Sequence, residues 1–101
     1  MENYNLNWFF ENRKLRKIPI DKEKIKKSLE IAQMKWGESK QLFSLDFFGN
    51  AVLSAYTSMF HSARALLYSE GIQEKSHYAT YFYIKEKFGG KISKNLLVSF
   101  N

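Results

Sequence analysis

Residues 55–67, with the sequence AYTSMFHSARALL, lie at the centre of the segment that predicts the fold. Apolar side chains recur here at intervals of three or four residues, the spacing of one helical face. The pattern extends from an expected N-cap at Asp46 to an expected C-terminal stop at Gly71. The main apolar stripe contains Phe48, Val52, Ala55, Met59, Ala63 and Leu66, and Tyr56, Phe60 and Leu67 widen it. The sequence therefore predicts a central helix contacted by several neighbours.

Two further helices are predicted on either side of this one. A helix begins at Asp21, whose carboxylate can act as an N-cap, and its apolar positions are Ile25, Leu29, Ala32, Trp36 and Phe43. Another begins with Ser76 as its cap and stops at Gly89 and Gly90. A fourth, capped by Ser93, has only about two turns before the sequence ends, and isolated helices shorter than about 12 residues are marginal in water. We expect this last helix to be truncated or completed by another chain.

Composition limits the chain to one globular domain. It has 101 residues, 45% of them hydrophobic and 17% aromatic, with one Pro and five Gly. Cysteine is absent, which excludes disulfides, thiolate metal sites and cysteine nucleophiles. With two His and no ligand spacing, no metal site and no cofactor is predicted.

The fold class predicted from these patterns is all-α, an antiparallel bundle of three full helices and a truncated fourth. We divide the chain into an N-terminal arm, residues 1–20, and a helical domain, residues 21–101. The arm carries an apolar group that forms either a short helix or an extended segment packed on the domain: Leu6, Trp8, Phe9 and Phe10. Residues 17–20 are expected to be extended, because the residue before Pro19 is disfavoured in helical conformation.

The positive charge is concentrated in one segment. Residues 13–27 contain eight Lys or Arg and two acidic residues, which accounts for the whole net charge of +6. Such a segment can contact phosphates, or it can be a solvated surface at a helix start.

Neither a leader sequence nor a membrane span is predicted. The first residues lack a basic segment followed by an apolar one. The longest uncharged run, residues 47–63, is rich in Ser, Thr, Asn and Gly. We therefore expect a soluble, cytoplasmic protein.

The polar residues that could carry chemistry form two groups. His61 and Arg64 are three residues apart on the central helix and so share a face. Lys75, His77 and Tyr78 cluster at the start of the next helix, where free N–H groups favour an anion. A histidine beside cations suits phosphate binding and metal-independent RNA cleavage. The alternative is structural, with Ser76 and His77 capping a helix and His61 a hydrogen-bonded core residue.

These residues resemble a known family. Residues 55–67, then Gly71, then the KSHY sequence at residues 75–78, are similar to the core signature of small archaeal and bacterial HEPN proteins (higher eukaryotes and prokaryotes nucleotide-binding). The resemblance covers residues 21–88. It implies an up-and-down helical bundle that commonly dimerises, and relatives that are metal-independent ribonuclease toxins paired with a minimal nucleotidyltransferase antitoxin. In this family Tyr56, His61 and Arg64 would organise the bundle and the cleft between protomers.

The family's catalytic motif, an Arg followed four to six residues later by His, is missing from these 101 residues. We therefore assign no catalytic residue. The leading hypothesis is an RNA- or nucleotide-associated HEPN protein of a toxin–antitoxin or defence module, without ribonuclease activity in this chain. Binding would use Lys75 and His77, then Arg64 and His61. The alternatives are a non-enzymatic interaction and dimerisation module, and a nucleotide sensor using the helix start at Lys75 and His77.

A homodimer is also expected, because three helices and a short fourth cannot cover so many aromatic side chains. A two-fold interface along the central helix would bury its apolar stripe twice. The small residues Ser54, Ser58 and Ser62 would let two copies approach closely, or would instead seat the preceding helix.

Overall fold

The computed structural model describes residues 5–88, which form four helices and two short strands. In chain order these are α1 (Leu6–Glu11), β1 (Leu15–Lys17), α2 (Lys22–Ser44), α3 (Phe48–Ser69), β2 (Ile72–Glu74) and α4 (His77–Phe88). The all-α class is confirmed. The predicted stop at Gly89 and Gly90 and the predicted fourth helix lie outside the described residues.

Local capping interactions set three of the predicted helix boundaries. The Asp21 carboxylate accepts hydrogen bonds from the backbone N–H groups of Glu23 and Lys24, so α2 begins as predicted. The Ser76 hydroxyl accepts from the Ala79 N–H at the start of α4. Gly71, just after α3, has a φ of 72°, the left-handed conformation that terminates many helices.

The predicted N-cap at Asp46 is wrong. Asp46 has a φ of 64° and lies in the turn between α2 and α3, with its N–H donating to the Phe43 carbonyl. The N-cap position of α3 belongs to Phe47, which has no capping side chain. The tight turn therefore decides the backbone conformation of Asp46, and its carboxylate is not used as a cap.

Helices α2 and α3 form an antiparallel hairpin joined by small residues. The Ser39 hydroxyl donates to the Ala51 carbonyl at 2.7 Å, and the Ser58 hydroxyl donates to the Ala32 carbonyl at 2.6 Å. Ser54 donates to a Glu38 carboxylate oxygen at 2.8 Å. This hydrogen bond and the positive charge of Lys35 lower the pKa of Glu38. Of the two roles considered for the serine series, Ser54 and Ser58 therefore serve to seat α2, while Ser62 is exposed.

A two-stranded antiparallel ribbon was not predicted. Leu15, Arg16 and Lys17 on β1 pair with Glu74, Gln73 and Ile72 on β2, respectively. Of these residues only Lys17 was expected to be extended. Strands of three residues are too short to show the alternating pattern of a half-buried strand.

The main core lies where α1, α4 and the ribbon meet the C-terminal half of α3. Its buried members are Phe9, Leu15, Ala63, Leu67, Ile72, Ala79, Tyr83 and Ile84. The apolar group of the arm forms a short helix, α1, that packs on the rest of the chain through Phe9, which is 1% exposed. The N-terminal segment thus contributes two core residues, Phe9 and Leu15.

Several large apolar residues expected in the interior are exposed. Leu29, Trp36 and Phe43 on α2, and Phe48 and Val52 on α3, are each at least half exposed. Small side chains bring the two helices together, so the bulky ones project to the sides. Those near the α2–α3 turn form what we call the tip surface: Phe43, Leu45, Phe47, Phe48, Val52 and Leu53. None of the helices within residues 5–88 is both long and apolar enough to cross a membrane.

Candidate functional site

Two of the predicted site residues meet at the ring of Phe60, which is 9% exposed on α3. The His77 ring stacks on it with centroids 4.0 Å apart, and the Arg64 guanidinium carbon lies 4.8 Å from its centroid. The Tyr56 hydroxyl and His77 Nδ1 share a hydrogen bond of 3.0 Å. His77, the first residue of α4, is therefore held by contacts with side chains of α3.

Arg64 is also paired with a buried carboxylate. Its Nε donates to Oε1 of Glu74 on β2 at 2.6 Å, and the Glu74 side chain is only 4% exposed. A buried carboxylate requires such a partner, because an unpaired charge loses its hydration without compensation. This contact fixes both the guanidinium and the ribbon.

His61 carries a polar atom with no partner. Its Nδ1 is buried and has no hydrogen bond within residues 5–88. Burial is the main cause that lowers the pKa of His61, and the positive charge of Arg64 lowers it further. The Glu74 carboxylate opposes this, and Lys35 adds a smaller lowering effect. The protein thus favours the neutral form of the His61 imidazole, and an anion placed beside it would favour its protonation.

A pocket of about 420 Å³ opens between α2 and α3 beside His61 and Arg64. We call it the basic pocket, and its lining residues are Glu23, Lys24, Lys27, Ser28, Ile31, His61, Arg64, Tyr68 and Gln73. Three cationic side chains line it against one carboxylate. The Lys24 ammonium lies 5.8 Å from the Tyr68 ring centroid, and Arg16 donates to the Gln73 side-chain oxygen at 2.6 Å.

The basic pocket is lined by two of the five predicted site residues. His61 and Arg64 line the basic pocket, whereas Lys75, His77 and Tyr78 do not. The Lys75 side chain is exposed and its backbone N–H donates to the Lys14 carbonyl. Tyr78 packs towards α1, with its ring 5.9 Å from that of Phe9.

Three residues of the site were not singled out from the sequence. Lys24 and Lys27 belong to the basic segment, and only the packing of α2 on α3 places them beside His61 and Arg64. Glu74 gave no local signal, because its partner Arg64 is on another element. Within residues 5–88 no group of three or more His, Asp or Glu could hold a metal ion.

Comparison with protein families identifies the family of this chain. The family model described as "HEPN domain" matches residues 25–98, well over half of the sequence. The chain belongs to the HEPN family. This confirms the resemblance based on residues 55–67 and 75–78, and it agrees with the helical fold.

One curated relative is a protein of Methanocaldococcus jannaschii named "Putative toxin MJ0605", to which the chain is 34% identical over 84 residues. The alignment covers 73% of this chain and 63% of the relative, so the chain spans less than two thirds of that protein's length. No solved structure matches this HEPN chain.

Proposed function

We propose that this HEPN protein is the RNA- or nucleotide-associated component of a toxin–antitoxin or defence module. The observation that carries the proposal is the basic pocket, in which His61 and Arg64, both within the family signature, lie beside Lys24 and Lys27. The name of the archaeal relative supports the toxin context. A minimal nucleotidyltransferase antitoxin is the proposed partner.

We further propose that these 101 residues do not cleave RNA by themselves. Metal-independent cleavage needs groups that transfer protons to and from the reacting oxygens. His61 is one candidate, but the family's Arg and His pair is missing from the sequence. The basic pocket would then bind RNA or a nucleotide without breaking it.

Two measurements test this function, an RNA binding and cleavage assay and a co-purification. Labelled RNA incubated with the purified chain, with chelator present, should be bound and recovered intact. Cleavage that resists chelation would refute the proposed inactivity, and no binding of RNA or nucleotide would refute the association. A small nucleotidyltransferase encoded next to this protein, which co-purifies with it, is the expected partner.

A second function, a non-enzymatic interaction and dimerisation module, is favoured by the tip surface. Its six apolar residues are each more than half exposed and are close together in the chain around the α2–α3 turn. Large exposed apolar patches commonly mark protein–protein contacts. We propose that two copies pair through this surface. A chain that dimerises but binds neither RNA nor nucleotides would fit this function and not the first.

A further inference from the structure

We propose that the basic pocket binds a terminal phosphate group, a phosphomonoester carried by a nucleotide or by an RNA end, and that Lys24, Lys27 and Arg64 hold it. The inference rests on the proposed association with RNA or nucleotides. It places the ligand between α2 and α3 and not at the start of α4.

The charge of the lining favours an anion. Lys24 and Lys27 come from the first turns of α2, and Arg64 comes from α3, while Glu23 is the single carboxylate among the lining residues. A terminal phosphate carries close to two negative charges at neutral pH, and a phosphodiester carries one. Because Glu74 already offsets the charge of Arg64, net charge alone does not distinguish the two esters. The monoester is favoured because it presents three terminal oxygens, one for each of the three cationic groups, whereas a phosphodiester presents two.

Arg64 is prepared for this role by Glu74. The carboxylate engages Nε and fixes the plane of the guanidinium. Its two terminal nitrogens have no acceptor within residues 5–88, so their N–H groups can donate to phosphate oxygens. An arginine oriented in this way loses little side-chain freedom on binding.

The size and the apolar part of the pocket suit a nucleotide. Its volume of about 420 Å³ is within the range of small-molecule sites. Ile31 and Tyr68 supply apolar surface next to the cations. The unpartnered Nδ1 of His61 is a second, independent sign, because a buried polar atom without a partner commonly marks a missing ligand or water.

Two double variants, each of which replaces two lysines by uncharged glutamines, test the site. Lys24→Gln with Lys27→Gln removes two positive charges from the pocket, and Lys22→Gln with Lys26→Gln removes two from exposed positions of the same helix that do not line it. Calorimetric titration of the full chain would use AMP, adenosine, and one short RNA with either a 5′-phosphate or a 5′-hydroxyl. Circular dichroism would verify that each variant remains folded.

We expect AMP or the 5′-phosphorylated RNA to bind, and the pocket variant to weaken that binding about tenfold or more, against less than about threefold for the control. Binding of AMP alone identifies a free nucleotide as the source, and binding of the phosphorylated RNA identifies an RNA end.

The site would be overturned if the pocket variant and the control variant weakened binding equally. It would also be overturned if the unmodified chain bound the 5′-hydroxyl RNA as tightly as the 5′-phosphorylated RNA. A Lys75→Gln variant that weakens binding while the pocket variant does not would place the ligand at the start of α4. Each of these results would refute the phosphate site but leave the proposed association with RNA or nucleotides standing. If no probe binds the unmodified chain, the proposed association itself fails.

Discussion

Arg64 on α3 and Glu74 on β2 are joined by a hydrogen bond of 2.6 Å between Nε and Oε1, with the carboxylate almost fully buried. The same guanidinium lies over the Phe60 ring and lines the basic pocket. One contact thus connects the ribbon, the helix hairpin and the proposed phosphate site. Because the Glu74 carboxylate is shielded from solvent, loss of the ion pair should lower the stability of the fold as well as weaken binding.

Arg64→Ala should destabilise the fold by about 1–3 kcal/mol, because it leaves the Glu74 carboxylate buried without a partner. The free energy of unfolding from urea titration measures this. Arg16→Ala, which removes an exposed hydrogen bond to Gln73, is the matched control and should cost less than about 1 kcal/mol. Equal losses for the two variants would contradict the importance of the buried pair.

His61 should make stability depend on pH. Its pKa in the folded chain is lowered, chiefly by burial, so the unfolded chain takes up the proton first as the pH falls below about 6.5. Stability should therefore decrease as the pH falls from there through the folded pKa. The slope should be shallower in His61→Gln, measured by denaturation between about pH 7.5 and 5.5. An unchanged slope would show that other groups cause the dependence.

Ser58 and Ser62 allow a test of the helix interface with one residue type. Ser58→Ala removes the hydroxyl that donates to the Ala32 carbonyl and should cost about 1 kcal/mol of unfolding free energy. Ser62→Ala, at an exposed position of the same helix, should change it by less than about 0.5 kcal/mol. If Ser62→Ala proves the more harmful, the orientation of α3 is wrong.

Gly71 and Gly49 should respond to alanine with opposite signs. A Cβ at Gly71 would lie 3.0 Å from the Ile18 carbonyl oxygen, and the backbone there has a φ of 72°. Gly71→Ala should therefore cost about 1–2 kcal/mol. A Cβ at Gly49, inside α3, meets nothing within 4 Å, so Gly49→Ala should stabilise by up to about 1 kcal/mol. Thermal denaturation of both variants measures the difference, and a stable Gly71→Ala would contradict this turn.

The tip surface should control association. We expect the unmodified chain to sediment as a dimer at micromolar concentration, and Val52→Lys with Leu53→Lys to sediment as a monomer of 11.9 kDa. Both side chains are about two thirds exposed, so the fold should tolerate the lysines. Asn50→Lys, an exposed polar position nearby, should remain dimeric. A monomeric unmodified chain would refute the homodimer.

The sequence by itself determined the features that depend on neighbouring residues. The start of α2 at Asp21 and the start of α4 after Ser76 follow from side chains that bond to backbone groups two or three positions away. The end of α3 before Gly71 follows from a backbone conformation that glycine adopts easily. His61 and Arg64 were expected on one face because of the helical repeat.

Only the tertiary structure decided which of these residues meet. The Arg64–Glu74 pair, the stacking of His77 on Phe60 and the approach of Lys24 and Lys27 to α3 join separate elements, which no local pattern specifies. The same holds for the failed prediction at Asp46, where the turn between two packed helices overrides a good capping residue. It also holds for the exposed Phe48 and Val52, since helical periodicity locates an apolar stripe but not the neighbour that covers it.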